Sequence, residues 1–156
     1  MDGFFLLNKE KGITSNQLVQ NIKKSLKFKK VGHLGTLDPM ATGLMVIAAN
    51  RATKFSSYFL ESDKSYHATV KLGCSTDTDD ALGKIIETSD NLPTEEHTHK
   101  VLNSFVGQSL QMAPFYSALK HKGKPLYKYA REGDFILKPP REINVFSIKD
   151  FNFDHD

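Results

Sequence analysis

The sequence predicts a mixed α+β fold. Short apolar runs that suit buried strands interleave with segments whose apolar residues recur at helical spacing. Glycine and proline interrupt the chain between these segments, most densely over 32–43. A length of 156 residues is enough for one domain with a hydrophobic core.

The first part of the chain contains two predicted strands with a helix between them. An apolar run at 4–7 predicts a buried strand. Thr14 and Gln17 have the spacing of a capping box, which predicts a helix over about 15–27 with one apolar face and one lysine-rich face. The apolar run at 44–48 predicts a second buried strand.

A short helix and a half-buried strand are predicted next. The segment 53–60 is expected to be helical. Its inward-facing residues are expected to be Phe55, Phe59 and Leu60. Apolar and polar residues then alternate over 66–72, which is typical of a strand with one buried face. Tyr66 lies near the start of that strand, on its apolar side.

The remainder of the chain contains two further predicted helices and a strand. The first helix is expected to begin at Pro93 and Thr94 and to stop at Gly107. Its packing residues are expected to be Val101, Leu102 and Phe105. Residues 112–125 are basic and are expected to be irregular, whereas a short helix is expected at 126–132. The apolar positions of 141–151 predict a last strand.

The composition indicates a soluble, cytoplasmic protein. Hydrophobic residues make up 39% and charged residues 25% of the chain, as in ordinary globular domains. No apolar run of about 18 residues is present, so we expect no membrane-spanning helix. The start of the chain lacks the pattern of a signal peptide, and the single cysteine, Cys74, has no partner for an internal disulfide.

The charges are unevenly distributed along the chain. No acidic residue lies between Glu10 and Asp38 or between Glu96 and Glu132, and lysines fill both stretches. The acids concentrate instead within 77–96. The two basic stretches would suit a surface that follows the phosphates of a polyanion. A solvated lysine face is the alternative that charge alone leaves open.

The loop 32–43 is the strongest candidate for chemistry. It holds one carboxylate, Asp38, in a frame rich in glycine, where a ligand can approach the backbone closely. Asp38 would serve as a nucleophile or base at a glycosidic carbon or an unsaturated ring, or else as a plain turn residue before proline. His33 would contact phosphate or base, act as an acid or base, or only make structural hydrogen bonds.

The acidic segment 76–83 invites comparison with a calcium loop. Ala81 occupies a ligand position, Leu82 stands where such a loop needs glycine, and no glutamate closes it. A turn capped by its own Asp and Thr side chains is therefore the preferred interpretation, although one of the acids could still reach a site.

The segment 114–131 alternates aromatic and cationic residues. Rings can stack on unpaired bases while cations meet phosphates, so this composition suits looped or single-stranded RNA. A surface loop with Tyr127 in the core is equally compatible with the composition. No phosphate-binding glycine loop, dinucleotide fingerprint, zinc spacing or Ser-His-Asp order is present in the sequence.

Five blocks of the sequence resemble, in order, motifs of the TruB family of pseudouridine synthases. The family's opening motif is usually Asp-Lys-Pro-x-Gly-x-Thr-Ser, from which Asn8 and Glu10 depart. Leu82 stands where an acid is common in the family. The blocks are 8–15, 32–43 with the nucleophile motif, 64–66, 72–80 and the RNA-gripping insertion 114–133.

The resemblance implies a pseudouridine synthase fold, with a mixed, largely antiparallel sheet flanked by helices and loops. It also implies a role for each matched residue. Asp38 would be the catalytic nucleophile, attacking the ribose or the uracil ring. Tyr66 would stack on the flipped base and help to remove the proton from C5. His33 would meet the RNA where the base leaves the stack, with Asp80 as a neighbour. The remaining implied RNA-binding residues are Lys9 in the site's floor, Gly35, Thr36, Lys120, Lys122, Lys124 and Tyr127.

The resemblance also implies the reaction and its partners. The protein would isomerise the uridine at position 55, in the T-loop of tRNA, to pseudouridine. Extrusion of the base is needed because its glycosidic bond is shielded in the folded loop. No cofactor and no metal are expected, the partner is the T-stem-loop of tRNA rather than a membrane, and the protein is expected to be a monomer.

The family's pattern extends beyond this sequence. Members carry a later arginine that pairs with the catalytic aspartate, as well as a C-terminal RNA-binding domain. We therefore expect 1–156 to be the N-terminal portion of a truncated catalytic domain, without that later domain. A non-catalytic RNA-binding or RNA-folding fragment is the main alternative. A nucleoside or glycoside hydrolase using Asp38 is the more distant one.

Overall fold

The computed structural model describes residues 1–60 and 62–154. The chain divides into two compact units, Met1–Ala68 and Thr69–Asp156. The elements of the first unit in chain order are β1 (Gly3–Lys9), α1 (Ser15–Ser25), β2 (Val31–His33), β3 (Gly43–Ala49), a 3₁₀ helix (Asn50–Phe55) and α2 (Ser56–Leu60). Its three strands form an antiparallel sheet in the order β1-β3-β2.

Helix α1 begins where the capping box predicts. The Thr14 hydroxyl accepts a hydrogen bond from the Gln17 amide at 3.1 Å, and the Gln17 side chain accepts one from the Thr14 amide at 2.7 Å. These two bonds satisfy backbone donors that a helix start leaves unpaired. The apolar face of α1 packs through Val19 on Met45 and Ile47 of β3, which forms the main core of this unit.

The second face of the sheet carries a smaller cluster. Leu34, Ala48 and Ala52 are buried there, and Phe59 packs against them. The expectation that Phe55 and Leu60 also face inward is wrong, since their side chains are 54% and 52% exposed. The chain is a 3₁₀ helix up to Phe55 and an α-helix from Ser56. The number of residues per turn differs between the two helix types, so one helical spacing does not predict which side chains of the whole segment face inward.

The predicted strand at 66–72 is absent from the structure. The chain there has no regular secondary structure, and Tyr66 and Val70 are each 71% exposed. Alternation of apolar and polar residues predicts a strand only where a neighbouring strand satisfies its backbone. Within the ranges that the structure describes, no strand pairs with this segment.

The described elements of the second unit are β4 (Cys74–Thr76), β5 (Ile85–Thr88), α3 (Glu95–Ser104), β6 (Gly107–Gln111), β7 (Lys120–His121), β8 (Lys124–Pro125), α4 (Leu126–Arg131) and β9 (Arg141–Val145). These strands pair as the antiparallel ladders β4–β5, β6–β9 and β7–β8. The predicted α+β class is thus confirmed. The described sheets are small, with three strands in the first unit and two strands in each ladder of the second.

Several predictions for the second unit need correction. Helix α3 is capped by Thr94 as expected, but Val101 and Phe105 are exposed rather than packed. Gly107 begins β6 instead of simply ending the helix, and β9 ends at Val145, short of residue 151. None of the helices in the described part of the chain is long and apolar enough to cross a membrane.

Candidate active site

Two blocks that lie far apart in the sequence meet in the first unit. Residues 8–15, from the end of β1 to the start of α1, contact the segment 32–43, which connects β2 to β3 and which we call the Asp38 loop. Lys9 is the centre of this contact, because its side chain is fully buried. Its Nζ atom donates to the carbonyl oxygens of Ile13 at 2.7 Å, Glu10 at 3.0 Å and Pro39 at 3.4 Å.

Lys9 is buried, and it has no acidic partner among the residues that the structure describes. An ammonium group has three donors, and three backbone carbonyls take them up here. Burial of such a group is costly unless its hydrogen bonds are made, so the folded turn and the folded loop each depend on the other. The Gly12 amide adds a second bond to the Pro39 carbonyl, at 2.7 Å. Lys9 therefore lies beneath the Asp38 loop, as a residue of the site's floor would.

Ser15 holds the other side of the loop. Its Oγ atom donates to the Leu37 carbonyl at 2.8 Å and accepts from the Leu37 amide at 2.9 Å, and the side chain is buried. The sequence placed Ser15 inside a motif block but gave it no role of its own. Ser15 is buried, whereas Asn16 and Gln17 beside it are exposed. No sequence pattern indicates this burial, so only the structure reveals the contact of Ser15 with Leu37.

Asp38 projects from a backbone that is fixed on both sides. Ser15 holds Leu37, the residue before it, and Lys9 and Gly12 hold Pro39, the residue after it. The Asp38 side chain is exposed, and its carboxylate has no hydrogen-bond or ion-pair partner in residues 1–60 or 62–154. A carboxylate held in this way is free to react with a bound molecule without first breaking a contact.

His33 lies at the other end of the same loop. It is the last residue of β2, opposite Ile47 in the ladder, and it is half-buried. Its Nδ1 atom is inaccessible to solvent and lacks a hydrogen-bond partner within the described ranges. Gly35 and Thr36 follow it into the loop, the first half-buried and the second exposed. The Nδ1 atom of the His33 ring therefore makes no hydrogen bond with the described residues.

Tyr66 belongs to the same unit but is not joined to these residues. It lies on the irregular segment after α2, and its ring is largely exposed. Among the residues with described coordinates, no hydrogen bond or ring contact links Tyr66 to Lys9, His33 or Asp38. The structure brings together the residues of the first two motif blocks and leaves Tyr66 outside that network.

Asp80 lies in the second unit, in the turn between β4 and β5. Its Oδ1 atom accepts hydrogen bonds from the Thr78 hydroxyl and the Leu82 amide, both at 2.8 Å. A Cβ atom at Gly83 would come within 2.3 Å of the Thr78 hydroxyl, so the turn closes tightly on a glycine. The sequence favoured a turn capped by its own Asp and Thr side chains over a calcium loop, and the structure shows such a turn. The described ranges contain no group of three or more His, Cys, Asp or Glu residues that could hold a metal.

The basic insertion contains a compact hairpin and helix, residues 117–133, which we call the hairpin–helix segment. Strands β7 and β8 are joined by the two-residue loop Lys122–Gly123, and both residues have positive φ angles, of 49° and 82°. This is the geometry of a tight type I′ hairpin, in which glycine avoids a steric cost. Leu126, the first residue of α4, is 1% exposed and anchors the segment.

The candidate RNA-binding residues of this segment differ in their surroundings. Lys120 and Lys122 are exposed, and their amino groups have no partner in the part of the chain that the structure describes. Lys124 instead pairs with Glu132 and lies 4.4 Å from the centre of the Tyr129 ring. Tyr127 is half-buried, and the Arg131 guanidinium lies 5.4 Å from its ring.

The sequence matches the model of a known protein family and is similar to several named proteins. Residues 23–156 match the TruB family pseudouridylate synthase (N terminal domain). The chain is 47% identical over 158 residues to tRNA pseudouridine synthase B of Francisella philomiragia, covering 100% of this chain and 52% of that protein. It is 46% identical over 149 residues to the protein of the same name from Aquifex aeolicus, covering 96% and 52%.

A structural comparison gives a consistent result. A chain in the crystal structure of a Cbf5–Nop10–Gar1 complex superposes with a TM-score of 0.50 and 26% sequence identity, over 77% of this chain and 31% of that chain. The present chain spans about half the length of the curated relatives it matches. The match nevertheless covers most of the present sequence, and the chain belongs to the TruB family of pseudouridylate synthases.

Proposed function

We propose that the protein isomerises uridine at position 55 of the tRNA T-loop to pseudouridine, with Asp38 as the nucleophile. The observation that carries this proposal is the Asp38 loop: its backbone is held at Leu37 and Pro39, while the carboxylate between them is exposed and has no partner in the described part of the chain. Membership of the family, and relatives named tRNA pseudouridine synthase B, support the choice of reaction and substrate.

The reaction exchanges one bond at the ribose for another. The bond from C1′ to N1 of uracil breaks, the base turns, and a bond from C1′ to C5 forms. Asp38 adds to the ribose or to the uracil ring and leaves again, so it is regenerated at the end. The proton on C5 is removed and N1 gains one, so the net change is an isomerisation without a co-reactant.

The other candidate residues would act on the RNA. Tyr66 would stack on the extruded base and assist proton removal from C5, for which its exposed ring is accessible. His33, Gly35 and Thr36 would contact the nucleotide beside the loop, and Asp80 would be a neighbour. Lys9 acts beneath the loop as a positioning residue, because its amino group is occupied by carbonyls. Residues 1–156 would thus supply the N-terminal portion of a catalytic domain.

We propose that the hairpin–helix segment binds the backbone of the RNA. Lys120 on β7 and Lys122 in the hairpin loop present charges that have no partner among the described residues, which suits contacts to phosphates. Lys124 on β8 and Tyr127 on α4 would support that hairpin, since both already make contacts within the segment.

Release of tritium from C5 of labelled uridine in a T-stem-loop RNA tests the proposal. We expect release by the unaltered chain and none by Asp38→Ala, whose side chain makes no contact that folding requires. The matched control is Asp90→Ala, which removes an exposed carboxylate elsewhere and should keep full activity. Binding without turnover by the unaltered chain would favour an RNA-binding fragment, and free uracil as product would favour a hydrolase.

A further inference from the structure

Lys64 lies two residues before Tyr66, outside any helix or strand. Its Nζ atom donates to the Leu60 carbonyl at 3.0 Å and to the Ser62 carbonyl at 2.7 Å. Leu60 is the last residue of α2, and the last carbonyls of a helix have no partner within the helix. A lysine that meets them also interacts favourably with the negative end of the helix dipole. Lys64 therefore caps the C-terminal end of α2.

Ser62 adds to the same turn. Its amide donates to the Phe59 carbonyl at 3.3 Å, and its hydroxyl donates to that carbonyl at 2.7 Å. The hydrogen bonds of Ser62 and Lys64 all join residues that are two to four positions apart. They therefore fix the local path of the chain just before Tyr66.

Helix α2 is itself fixed to the sheet of the first unit. Phe59 packs against the buried cluster that contains Leu34 and Ala48, and its ring centre lies 4.8 Å from that of Phe4 on β1. Leu34 belongs to the Asp38 loop, and its amide donates to the Val46 carbonyl at 2.9 Å. A connected series of contacts thus runs from the Asp38 loop through Phe59 to the end of α2.

The segment that carries Tyr66 has little support of its own. It has no regular secondary structure, and Tyr66 forms no hydrogen bond and no ring contact within residues 1–60 and 62–154. Among the described residues, Lys64 is the nearest one in sequence whose hydrogen bonds tie the chain to a helix. The position of Tyr66 relative to α2 therefore depends on the contacts of Lys64.

We propose that Lys64 is a positioning residue of the reaction, which keeps Tyr66 in reach of the uridine by capping α2. The inference rests on the proposed function, in which Tyr66 stacks on the extruded base and assists proton removal from C5. Lys64 does not touch the base, because two carbonyls occupy its amino group. Without the cap, the segment would sample more conformations, and fewer of them would place the ring against the base.

The first test measures the position of Tyr66 and needs no turnover. Lys64→Met removes the donors and keeps the approximate length of the side chain. The control is Lys71→Met, which changes an exposed lysine of the same irregular segment that has no hydrogen bond to the described residues. Backbone ¹⁵N relaxation gives the order parameter of the Tyr66 amide, which should fall by about 0.2 in Lys64→Met only. An unchanged value, or an equal fall in both variants, overturns the proposal.

The second test measures tritium release from a T-stem-loop RNA labelled at C5 of uridine. With thermal unfolding showing the variants folded, Lys64→Met should lower kcat by about tenfold, because Tyr66 is misplaced in the bound complex. KM should stay within about twofold, since Lys64 makes no contact with the RNA. Lys64→Arg keeps donors for the carbonyls and should recover most of kcat.

The other outcomes of the second test separate the proposal from its alternatives. A raised KM with unchanged kcat in Lys64→Met would overturn the proposal and assign Lys64 to RNA contact. Unchanged values of both constants would overturn it as well. Absence of tritium release by the unaltered chain would contradict the proposed function, and the order parameter would still decide whether Lys64 fixes Tyr66.

Discussion

The Asp38 loop and the hairpin–helix segment are both candidate functional elements, but they are held in different ways. The Asp38 loop depends on hydrogen bonds from Lys9 and Ser15, which lie 30 and 22 residues from their partners. In the hairpin–helix segment, the Tyr129 hydroxyl donates to the His121 carbonyl only eight residues away. The first element is shaped by a distant part of the chain, and the second by its own turn and helix. Damage to the first should therefore cost more than damage to the second.

The largest effect is expected for Lys9→Met, which keeps the length of the side chain and removes its three donors. The carbonyls of Glu10, Ile13 and Pro39 lose the ammonium donor that ties the turn to the loop, so the free energy of unfolding should fall by about 3 kcal/mol. Urea unfolding measures this change. The control Lys11→Met alters an exposed lysine two residues later and should change stability by less than about 0.5 kcal/mol. Equal effects of the two variants would contradict the role assigned to Lys9.

A smaller effect is expected for Ser15→Ala, which removes both hydrogen bonds to Leu37. The unfolding free energy should fall by about 2 kcal/mol. Because the backbone beside Asp38 loosens, tritium release should also slow, by on the order of 10²-fold. Ser25→Ala, at the exposed end of α1, is the matched control and should leave both measurements unchanged. Normal turnover by a destabilised Ser15→Ala would show that this contact does not position Asp38.

The smallest effects on stability are expected in the hairpin–helix segment. Lys120→Ala/Lys122→Ala should leave the unfolding free energy within about 0.5 kcal/mol, while the salt dependence of RNA binding flattens. Lys124→Ala should do the reverse, with a loss of up to about 1 kcal/mol from the Glu132 pair and little change in slope. If Lys124→Ala flattened the slope as much as the double variant does, the division between gripping and supporting lysines would be wrong.

Elements with local signals were predicted well from the sequence. The Thr14–Gln17 capping box located the start of α1, and helix α4 was expected at 126–132 and is found at Leu126–Arg131. Strand β2 was missed because only three residues, Val31–His33, adopt it, and they do so by pairing with β3. The strand expected at 66–72 failed for the opposite reason, since no partner strand meets it in the described ranges. Strand pairing depends on the neighbour as much as on the segment itself.

The sequence by itself determined the α+β class, the candidate nucleophile Asp38 and, through five ordered motif blocks, the family. These are properties of neighbouring residues, which hydrophobic periodicity, turn chemistry and motif spacing can record. Only the tertiary structure decided that Lys9 and Ser15 hold the backbone around Asp38 and that Phe59 packs against the cluster containing Leu34 of the same loop. Contacts between distant segments depend on the path of the whole chain, so no local pattern contains them.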